Sequence, residues 1–476
     1  MKINPYIFRG YDVRGEVGKD LNPKIVEHIG KALGAYFKRH GIKKAVVGRD
    51  SRATSPEYSE AIISGLSWSG IETINIGMEL IGTFYWSQYY LGCKGGVYVT
   101  GSHNPAQYNG FKIANDFSET LVSDGIQELR MMVENEDYEK SKVVGNVKEQ
   151  NIRQAYFEIL LKKLPLKKKF KVVIDGNYAT AGVIAPDLLK RAGCEVIEYN
   201  CKLDPLLPLG APDPTSIILA QNLKEKVLKE KADVGFSYDS DGDRIGIVTD
   251  KGDIVWNDVL VALFSIDVLN KYPGATIMYN TLCSKVVEET ILRYGGKPFM
   301  WRTGHSFLKK KNQEVRAALI GELSGHFFFS ADFYNHDDGL YSTLRLLSYL
   351  AGTNQTLSSV IDNLPKYISS PEIKIYCPDN KKVELMNKIS PIIKKDFPEA
   401  EVIDDERAGD GVRLNLVDGM FVIRYSQNAP YLTIKFEAKI KEKYDFLKNY
   451  IKNLLLGYKE IDWGSNVNVN TRALKE

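Results

Sequence analysis

The chain is organised around Val97-Tyr98-Val99-Thr100-Gly101-Ser102-His103-Asn104-Pro105, a β-branched run that ends in small, turn-forming residues. Gly101 lets the backbone bend where a Cβ would clash, and Pro105 keeps the turn from becoming regular structure. The turn lifts the Ser102 hydroxyl clear of the backbone beside the imidazole of His103. We interpret Ser102 as the carrier of a phosphoryl group. The alternative is an ordinary turn held by side-chain-to-backbone hydrogen bonds.

Two familiar loop motifs do not fit this stretch. A serine-hydrolase nucleophile elbow needs Gly-x-Ser-x-Gly, but Thr100 and Asn104 occupy the glycine positions. Gly96 and Gly101 have the spacing of a phosphate-cradling loop, but Ser102 stands where that loop needs lysine. Support for the phosphoryl interpretation must therefore come from other loops.

Predicted helices and strands alternate along most of the chain. Before the Ser102 loop, apolar residues at helical spacing predict helices over 22–40 and 56–70, separated by short β-branched strands. The alternation restarts at 170–176 and again near 252, and it is lost after 365. This rhythm is typical of mostly parallel sheets whose sites form where strands end. We predict an α/β protein with three similar mixed or parallel-sheet units and a smaller C-terminal α+β domain.

Length and composition indicate a soluble enzyme of several domains. The 476 residues exceed one core, and the apolar content of 44% and charged content of 26% are ordinary. A net charge of +3 gives no electrostatic case for nucleic-acid binding. The first residues lack the apolar segment of a signal peptide, and the longest apolar run, 259–269, is interrupted by Ser265 and Asp267. We expect a cytoplasmic monomer or dimer with no nucleic-acid or membrane partner.

The sharpest local signal is Asp239-Ser240-Asp241-Gly242-Asp243-Arg244. In an extended segment, side chains at alternate positions project to one side, so the three carboxylates would converge. They repel one another unless a hard divalent cation holds them, and oxygen ligands suit Mg²⁺. A calcium-binding helix-loop-helix needs glycine and glutamate where Arg244 and Asp250 stand. A solvated acidic turn is the remaining alternative to a metal site.

The acidic loop and the Ser102 loop complement each other chemically. A phosphate oxygen on Ser102 would fill an open coordination position, and the cation would polarise the phosphoryl group. Arg244 would offset the charge that develops on the equatorial oxygens. We therefore predict that the two loops lie face to face.

Three further loops carry polar side chains suited to a sugar phosphate. Glu322 and Ser324 follow a predicted strand and can bind vicinal sugar hydroxyls, although a capped turn has the same composition. His305 can act as an acid or base, or orient a hydroxyl, or be structural. The lysine run 309–311 is interpreted as a solvated helix face. The last loop offers an arginine fork, a hydroxyl and amide donors for a phosphate anchor: Arg424, Ser426, Gln427 and Asn428.

Taken together, these loops resemble the α-D-phosphohexomutase superfamily, and within it the bacterial phosphomannomutase/phosphoglucomutase group. The resemblance spans nearly the whole chain, and loops in a fixed order are far more specific together than any one alone. The matching segments are 8–15, 100–105, 108–112, 239–244, 303–306, 321–326, 337–339 and 424–430.

The resemblance implies four domains around a deep cleft. Hexose 1-phosphate and hexose 6-phosphate would interconvert through a phosphoserine and a hexose 1,6-bisphosphate, with Mg²⁺ as cofactor and glucose 1,6-bisphosphate as activator or intermediate. The predicted domains are 1–148 with the phosphoserine loop, 149–252 with the metal loop, 253–367 with the sugar-binding loop and 368–476 with the phosphate-anchoring loop.

The resemblance also assigns roles to individual residues. Mg²⁺ would be held by Asp239, Asp241, Asp243 and the phosphate on Ser102. The catalytic residues would be Ser102, Arg14, His103, Lys112, Arg244 and His305. The substrate-binding residues would be Tyr11, Thr303, Gly304, Glu322, Ser324, His326, Arg424, Ser426, Gln427 and Asn428.

The chain departs from the family pattern in two places. The anchor usually reads Arg-x-Ser-Asn-Thr, whereas Gln427 and Asn428 fill the last two positions here. The third unit lacks the lysine that the group often places near a strand end, and Lys285 is a candidate replacement at a different spacing. The sugar loop, Glu-Leu-Ser-Gly-His at 322–326, resembles the mannose/glucose group more than the glucosamine mutases. The sequence does not predict whether mannose or glucose phosphate is preferred, because discrimination between C2 epimers can depend on a single hydrogen bond.

Several functions stay open on the sequence alone. The favoured one is a mutase for mannose or glucose phosphates, with a phosphoglucosamine mutase as a variant. A Mg²⁺-dependent sugar-phosphate phosphatase could use the same phosphoserine, and a non-catalytic sugar-phosphate binding protein would use only the loops. For the mutase we also predict that the fourth domain swings to close the cleft, because its anchor must release and rebind the intermediate.

Overall fold

The computed structural model describes residues 3–427 and 429–475. In this part of the chain four β-sheets follow one another, three of them mixed and flanked by helices, the last one antiparallel. The predicted fold class is therefore confirmed: three α/β units precede a C-terminal α+β unit. The boundaries drawn at 148, 252 and 367 stay predictions.

The first unit contains the Ser102 loop. Its elements are β1 (Val13–Glu16), α1 (Pro23–Arg39), β2 (Lys44–Arg49), α2 (Ser55–Trp68), β3 (Glu72–Met78), α3 (Ile81–Tyr90), β4 (Gly95–Val99), β5 (Tyr108–Asp116), β6 (Glu119–Thr120), α4 (Asp124–Glu134) and β7 (Val147–Glu149). The strand order is β1-β5-β4-β2-β3-β7, and β6 pairs with β5.

The second unit contains the acidic loop. Its elements are α5 (Arg153–Lys163), β8 (Lys171–Asp175), α6 (Thr180–Arg191), β9 (Glu195–Tyr199), α7 (Ile217–Glu230), β10 (Val234–Tyr238), β11 (Ile245–Thr249) and β12 (Ile254–Val255). The strand order is β12-β11-β10-β8-β9.

The third unit contains the Glu322 and His305 loops. Its elements are α8 (Asn257–Lys271), β13 (Thr276–Asn280), α9 (Lys285–Arg293), β14 (Lys297–Trp301), α10 (His305–Val315), β15 (Leu319–Gly321), β16 (Phe327–Phe328), α11 (Gly339–Thr353) and α12 (Leu357–Asp362). The strand order is β14-β13-β15-β16.

The C-terminal unit packs helices against one antiparallel sheet. Its elements are β17 (Ile368–Ser369), β18 (Ile373–Tyr376), α13 (Lys382–Asp396), β19 (Glu401–Ile403), β20 (Gly411–Asn415), β21 (Gly419–Tyr425), β22 (Tyr431–Ala438), α14 (Lys441–Leu456) and α15 (Arg472–Lys475). The strand order is β17-β22-β21-β20-β19, and β18 also pairs with β22.

The first helix illustrates how local sequence sets an element. The Asn22 side chain accepts a hydrogen bond from the Ile25 N–H at 3.0 Å and caps the helix, while Pro23 occupies the first turn, where no amide donor is needed. The apolar side chains at helical spacing, including Ile29 and Leu33, are buried. The predicted helix over 22–40 is thus confirmed.

The three α/β units share one topological detail. In each unit a strand that runs parallel to the central strand is followed by a loop and then by an antiparallel strand: β4 to β5, β10 to β11 and β15 to β16. The Ser102, Asp239 and Glu322 loops occupy these equivalent positions. Because the loops leave carboxyl ends of parallel strands, each presents its side chains at the edge where sites form.

The cores show which units belong together. One hydrophobic core extends through all three α/β units, with Tyr98, Phe236 and Leu319 among its members. The C-terminal unit has a core of its own that includes Phe421 and Leu447, while Met420 and Val422 of its strand β21 join the core of the α/β units. No helix in the described residues is both long and apolar enough to span a bilayer.

Candidate active site

The Ser102 loop is held in an unusual backbone conformation. Ser102 has φ of +48°, in the left-handed region that few non-glycine residues adopt. The Thr100 hydroxyl stabilises it by accepting a hydrogen bond from the Ser102 N–H at 2.7 Å and donating one to Asp50 at 2.8 Å. As a result the Ser102 side chain leaves the loop toward the second unit.

Arg52 also holds the Ser102 loop in place, and no sequence motif points to this residue. Its buried guanidinium donates to four backbone carbonyls, those of Ser102 and Asn104 at 2.6 Å, of Pro105 at 2.8 Å and of Tyr108 at 3.0 Å. Carbonyls crowded in a tight loop repel one another, so a cation with a planar fork of donors fixes their positions. Arg52 is therefore part of the support of the serine.

The Ser102 and acidic loops meet face to face. The Ser102 Oγ donates to Asp239 Oδ2 at 3.2 Å and also lies 3.2 Å from His103 Nδ1. The acidic loop also contacts the start of α3 in the first unit, where the Ile81 N–H donates to the Asp241 carbonyl at 2.9 Å. The predicted juxtaposition of serine and acidic triplet is present in the structure.

The acidic loop converges by a different route from the one predicted. An extended segment was expected, but the backbone bends after β10, and Gly242 has φ of +70°. The bend is stabilised because Asp239 Oδ1 accepts from the N–H groups of Gly242 at 3.0 Å and Arg244 at 3.3 Å. One ligand oxygen each of Asp239, Asp241 and Asp243 still lie within 4.8 Å of one another.

Lys112 and burial set the charge state of this cluster. The Lys112 Nζ lies 2.8 Å from Asp241 Oδ2 and also contacts Asp243. Burial and the neighbouring Asp241 and Asp243 raise the pKa of Asp239 well above its usual range. Burial alone would also raise the pKa of Asp243, but Lys112 and His326 hold it below its usual value. The cluster is thus only partly compensated by the protein itself.

The acidic loop also has carboxylate oxygens that are free to bind a cation. Among the described residues, Asp241 Oδ1 and Asp243 Oδ1 are buried oxygens without a hydrogen-bond partner. A buried carboxylate oxygen without a partner is unfavourable, and a hard divalent cation takes such ligands. The donor set therefore suits a metal ion of the Mg²⁺ type.

Two imidazoles from the third unit complete this side of the site. His305 and His326 stack with ring centroids 5.0 Å apart, and both turn Nδ1 toward Asp337 Oδ2, at 3.4 Å and 2.8 Å. Arg244 Nε lies 3.0 Å from His326 Nε2. Since the arginine Nε–H can only donate, His326 accepts at Nε2 and carries its proton on Nδ1. Burial lowers the pKa of His305 well below its usual range.

The Glu322 loop, which is predicted to bind the sugar, has a buried hydrogen-bond acceptor. Ser324 Oγ lies 3.4 Å from Glu322 Oε2, and Glu322 Oε1 is buried without a hydrogen-bond partner in the described residues. Gly304, the residue before α10, has φ of +128°, and the Thr303 hydroxyl accepts from the Asn280 amide at 3.2 Å. Tyr11 reaches across from the first unit and contacts His305 edge-on, with ring centroids 5.0 Å apart.

Arg14 lies on the first unit beside the serine loop. Its Nη1 donates to Asn104 Oδ1 at 3.1 Å, and its Nη2 donates to Asp12 at 2.6 Å. The contact with Asn104 places the Arg14 guanidinium beside the Ser102 loop, because Asn104 lies two residues after Ser102. Arg14 thus lies beside the loop that carries Ser102 and His103, and Lys112 contacts the acidic loop that faces it.

The predicted phosphate anchor is partly occupied by a carboxylate. Arg424, at the end of β21, donates from Nε to Asp410 Oδ1 at 2.8 Å and from Nη2 to Asp410 Oδ2. Gln427 donates to the same carboxylate at 3.3 Å. The Ser426 N–H donates to the Tyr431 carbonyl at 2.9 Å. Asn428 lies outside the described residues.

Lys285 does not take the place of the lysine missing from the family pattern. Its backbone N–H donates to Glu437 at 2.8 Å, and its Nζ contacts the Leu416 carbonyl. Both partners belong to the C-terminal unit, in or next to its sheet. The side chain is thus committed to the contact between the third and the C-terminal unit.

The interpretation of residues 309–311 as a solvated helix face is wrong for Lys309. Its side chain is fully buried, and its Nζ lies 3.3 Å from Asp337 Oδ1. Lys310 is exposed, as predicted. Three consecutive lysines cannot all point the same way on a helix, and which of them faces a neighbouring unit depends on tertiary packing.

Three protein-family models match consecutive parts of the chain. They are Phosphoglucomutase/phosphomannomutase, alpha/beta/alpha domain I over residues 5–140, domain II over 154–252 and domain III over 256–367.

Individual relatives extend the match to almost the full length. A phosphomannomutase/phosphoglucomutase of Pseudomonas aeruginosa is 38% identical over 94% of this chain and 95% of its own. The crystal structure of a phosphoglucomutase/phosphomannomutase family protein from Burkholderia thailandensis has a TM-score of 0.86 at 32% identity, covering 98% of this chain and 99% of that one. An Aspergillus fumigatus N-acetylphosphoglucosamine mutase, solved with glucose 1,6-bisphosphate, shares the fold at 13% identity and a TM-score of 0.59, covering 94% of both chains.

Fold, site and matches together define an enzyme, a phosphohexomutase of the α-D-phosphohexomutase superfamily. Within that superfamily, the chain belongs to the phosphoglucomutase/phosphomannomutase family.

Proposed function

We propose that this enzyme interconverts hexose 1-phosphate and hexose 6-phosphate through a phosphoserine at Ser102 and a hexose 1,6-bisphosphate. The observation that carries the proposal is the 3.2 Å contact between Ser102 Oγ and Asp239 in a buried acidic loop. A serine alkoxide is a poor leaving group, so its transfer needs such an electrophilic setting.

Asp239, Asp241 and Asp243 would hold Mg²⁺ together with a phosphate oxygen on Ser102. The ion would neutralise charge on the phosphoryl group and polarise it. Buried oxygens of Asp241 and Asp243 have no hydrogen-bond partner in the part of the chain that the structure describes, which supports this assignment.

The protein's own groups then manage charge and protons. As the bond from Ser102 Oγ to phosphorus breaks, a sugar hydroxyl oxygen forms the new bond and gives up its proton, while Oγ gains one. His103, whose Nδ1 lies 3.2 Å from Oγ, is placed to serve Ser102. Arg14, Lys112 and Arg244 surround the same point with positive charge, and His305 lies nearby to take or give a proton. In the second half of the cycle, the other phosphoryl group returns to Ser102 by the reverse step.

The sugar and its second phosphate would be held by the third and C-terminal units. Glu322 and Ser324 would bind vicinal hydroxyls, assisted by Tyr11, Thr303, Gly304 and His326. Asp410 occupies the Nε and Nη2 donors of Arg424, so a phosphate would approach the remaining Nη1, together with Ser426, Gln427 and Asn428. Glucose 1,6-bisphosphate would act as activator, because it can phosphorylate Ser102.

Mannose and glucose phosphates are the proposed substrates, since the full-length relative from Pseudomonas aeruginosa carries both names. The domain limits 148, 252 and 367, a cytoplasmic location and a monomeric or dimeric state belong to the same proposal.

The test is to incubate the enzyme with Mg²⁺, glucose 1,6-bisphosphate and either mannose 1-phosphate or glucose 1-phosphate. We expect the 6-phosphate to form without release of inorganic phosphate, and Ser102→Ala to be inactive. Inorganic phosphate without any 6-phosphate would indicate a phosphatase instead. Tight sugar-phosphate binding without turnover would indicate a binding protein.

A further inference from the structure

Lys309 is a buried cation that none of the roles above uses. It lies in the second turn of α10, and its side chain is 0% exposed. Its Nζ lies 3.3 Å from Asp337 Oδ1, 3.3 Å from the Ser118 carbonyl and 3.7 Å from the centre of the Tyr85 ring. An ammonium group without water needs each of these partners, so its position is tightly fixed.

Asp337 connects Lys309 to the reacting centre. Its Oδ1 faces the lysine, while its Oδ2 faces His326 Nδ1 at 2.8 Å and His305 Nδ1 at 3.4 Å. One carboxylate therefore hydrogen-bonds His326 and faces His305, whose Nδ1 has no hydrogen-bond partner among the described residues. On the other side of its ring, His326 accepts a hydrogen bond at Nε2 from Arg244 Nε at 3.0 Å.

We propose that Lys309 is a positioning residue of the phosphoryl-transfer site. By fixing the Asp337 carboxylate, it orients the rings of His305 and His326 and keeps the proton of His326 on Nδ1, so that Nε2 faces Arg244 as an acceptor. This inference rests on the proposed function for its kinetic consequences, but the ring orientation follows from the contacts alone.

A purely structural role is the competing explanation, because Lys309 also joins the first and third units through Ser118. A second bond across the same contact separates the two roles. Asn335 donates to Glu119 at 2.8 Å between these units and to the Lys309 backbone carbonyl at 3.2 Å, and neither bond involves Asp337, His305 or His326. Glu119→Ala therefore weakens the contact between the units and leaves Asp337 with its lysine.

The kinetic test compares Lys309→Met with Lys310→Met, the same change one residue further on the exposed side of α10. We expect Lys309→Met to lower kcat about 10- to 100-fold with KM for the sugar phosphate within about twofold. Lys310→Met and Glu119→Ala should keep the kcat of the parent enzyme. Lys309→Gln can still donate to Asp337 and should recover part of the loss.

The second readout needs no substrate. With histidine-specific ¹⁵N labelling, the parent enzyme should show His326 protonated at Nδ1, and Lys309→Met or Lys309→Gln should shift the His305 and His326 signals, while Glu119→Ala should not. Unchanged histidine signals in a folded Lys309 variant would overturn the proposal, and so would an equal fall of kcat in Glu119→Ala. Should Lys309→Met not fold, Lys309→Gln carries both measurements. A parent enzyme with this histidine spectrum but no mutase turnover would overturn the proposed function instead.

Discussion

At the scale of single residues, the acidic loop carries negative charge that its neighbouring cations balance only in part. Asp239, Asp241 and Asp243 are all fully buried, and Lys112 is the cation that contacts two of them. Burial opposes the charge on Lys112, yet Asp241 and Asp243 raise its pKa well above the usual value. The lysine therefore stays charged, and it balances only part of the cluster.

Removing one carboxylate charge from the loop should disable the enzyme. We expect Asp241→Asn to lower kcat at least about 100-fold, because the effect of losing a metal ligand exceeds the 10- to 100-fold typical of its hydrogen-bond partners. Calorimetric titration with Mg²⁺ should show weaker binding in parallel. Asp187→Asn, a half-exposed site in the same unit, is the matched control. Near-normal turnover of Asp241→Asn in the presence of Mg²⁺ would contradict the proposal that this loop binds the metal ion.

Asp175, at the end of β8, should make stability depend on pH. Burial raises its pKa from 3.8 to about 6, so the folded protein binds the proton more tightly than the unfolded chain. Its contribution to stability is thus full below about pH 4 and is lost as the pH rises through 6. Asp175→Asn keeps the acceptor that Asn177 and Asn200 use.

In urea unfolding, Asp175→Asn should therefore be more stable than the parent at about pH 8, by up to about 3 kcal/mol, and nearly equal to it at about pH 4. Asp187→Asn should show no such trend. A difference that is the same at both pH values would contradict the assigned direction of the shift.

At the scale of elements, the positions of the site loops were predictable and their shapes were not. β-Branched runs that end in turn-forming residues marked where β4 and β10 stop. The left-handed conformation of Ser102 and the bend at Gly242 depend on Thr100, on Arg52 and on the Asp239 side chain. Arg52 lies 50 residues from the serine it supports, and no local pattern connects them.

Gly101 has no room for a side chain, which can be tested directly. A Cβ there would lie 2.6 Å from the Arg52 guanidinium carbon and 2.7 Å from the Tyr108 carbonyl oxygen. We expect Gly101→Ala to destabilise the protein by about 1–3 kcal/mol through overpacking and to lower kcat by displacing the loop. Gly352→Ala, where a Cβ meets nothing within 4 Å, should be neutral or stabilising by up to about 1 kcal/mol. Equal unfolding midpoints in urea for the two variants would contradict this view of the loop.

At the scale of the whole molecule, the three α/β units share one hydrophobic core, and the fourth unit contacts them through Met420 and Val422 of β21 and through ion pairs. The α/β rhythm of the sequence predicted the units, but not how the last one is attached. Lys374 of β18 lies 2.7 Å from Asp213 of the second unit, and Arg9 lies 3.1 Å from Asp379. Ion pairs between distant segments leave no pattern in the sequence, whereas buried helix faces and strands can be recognised from the periodicity of their apolar residues.

The Lys374–Asp213 pair should act as a latch for closure of the C-terminal unit. Lys374→Met leaves Asp213 buried, with Arg244 still 4.0 Å away, and should weaken the closed arrangement by about 3 kcal/mol or less. We expect a larger radius of gyration in solution scattering and faster escape of hexose 1,6-bisphosphate during turnover. Lys388→Met, which removes an exposed lysine from the same unit, should change neither. Identical scattering of Lys374→Met and the parent would contradict the latch.

The central claim is that Ser102 carries the phosphoryl group that the acidic loop activates. It is tested most directly by the intact mass of the purified enzyme before and after incubation with glucose 1,6-bisphosphate and Mg²⁺, followed by mapping of the modified residue. We predict one phosphate on Ser102 after incubation and none in Ser102→Ala. An unmodified protein that nonetheless turns over, or a phosphate on another residue that survives in Ser102→Ala, would contradict the account.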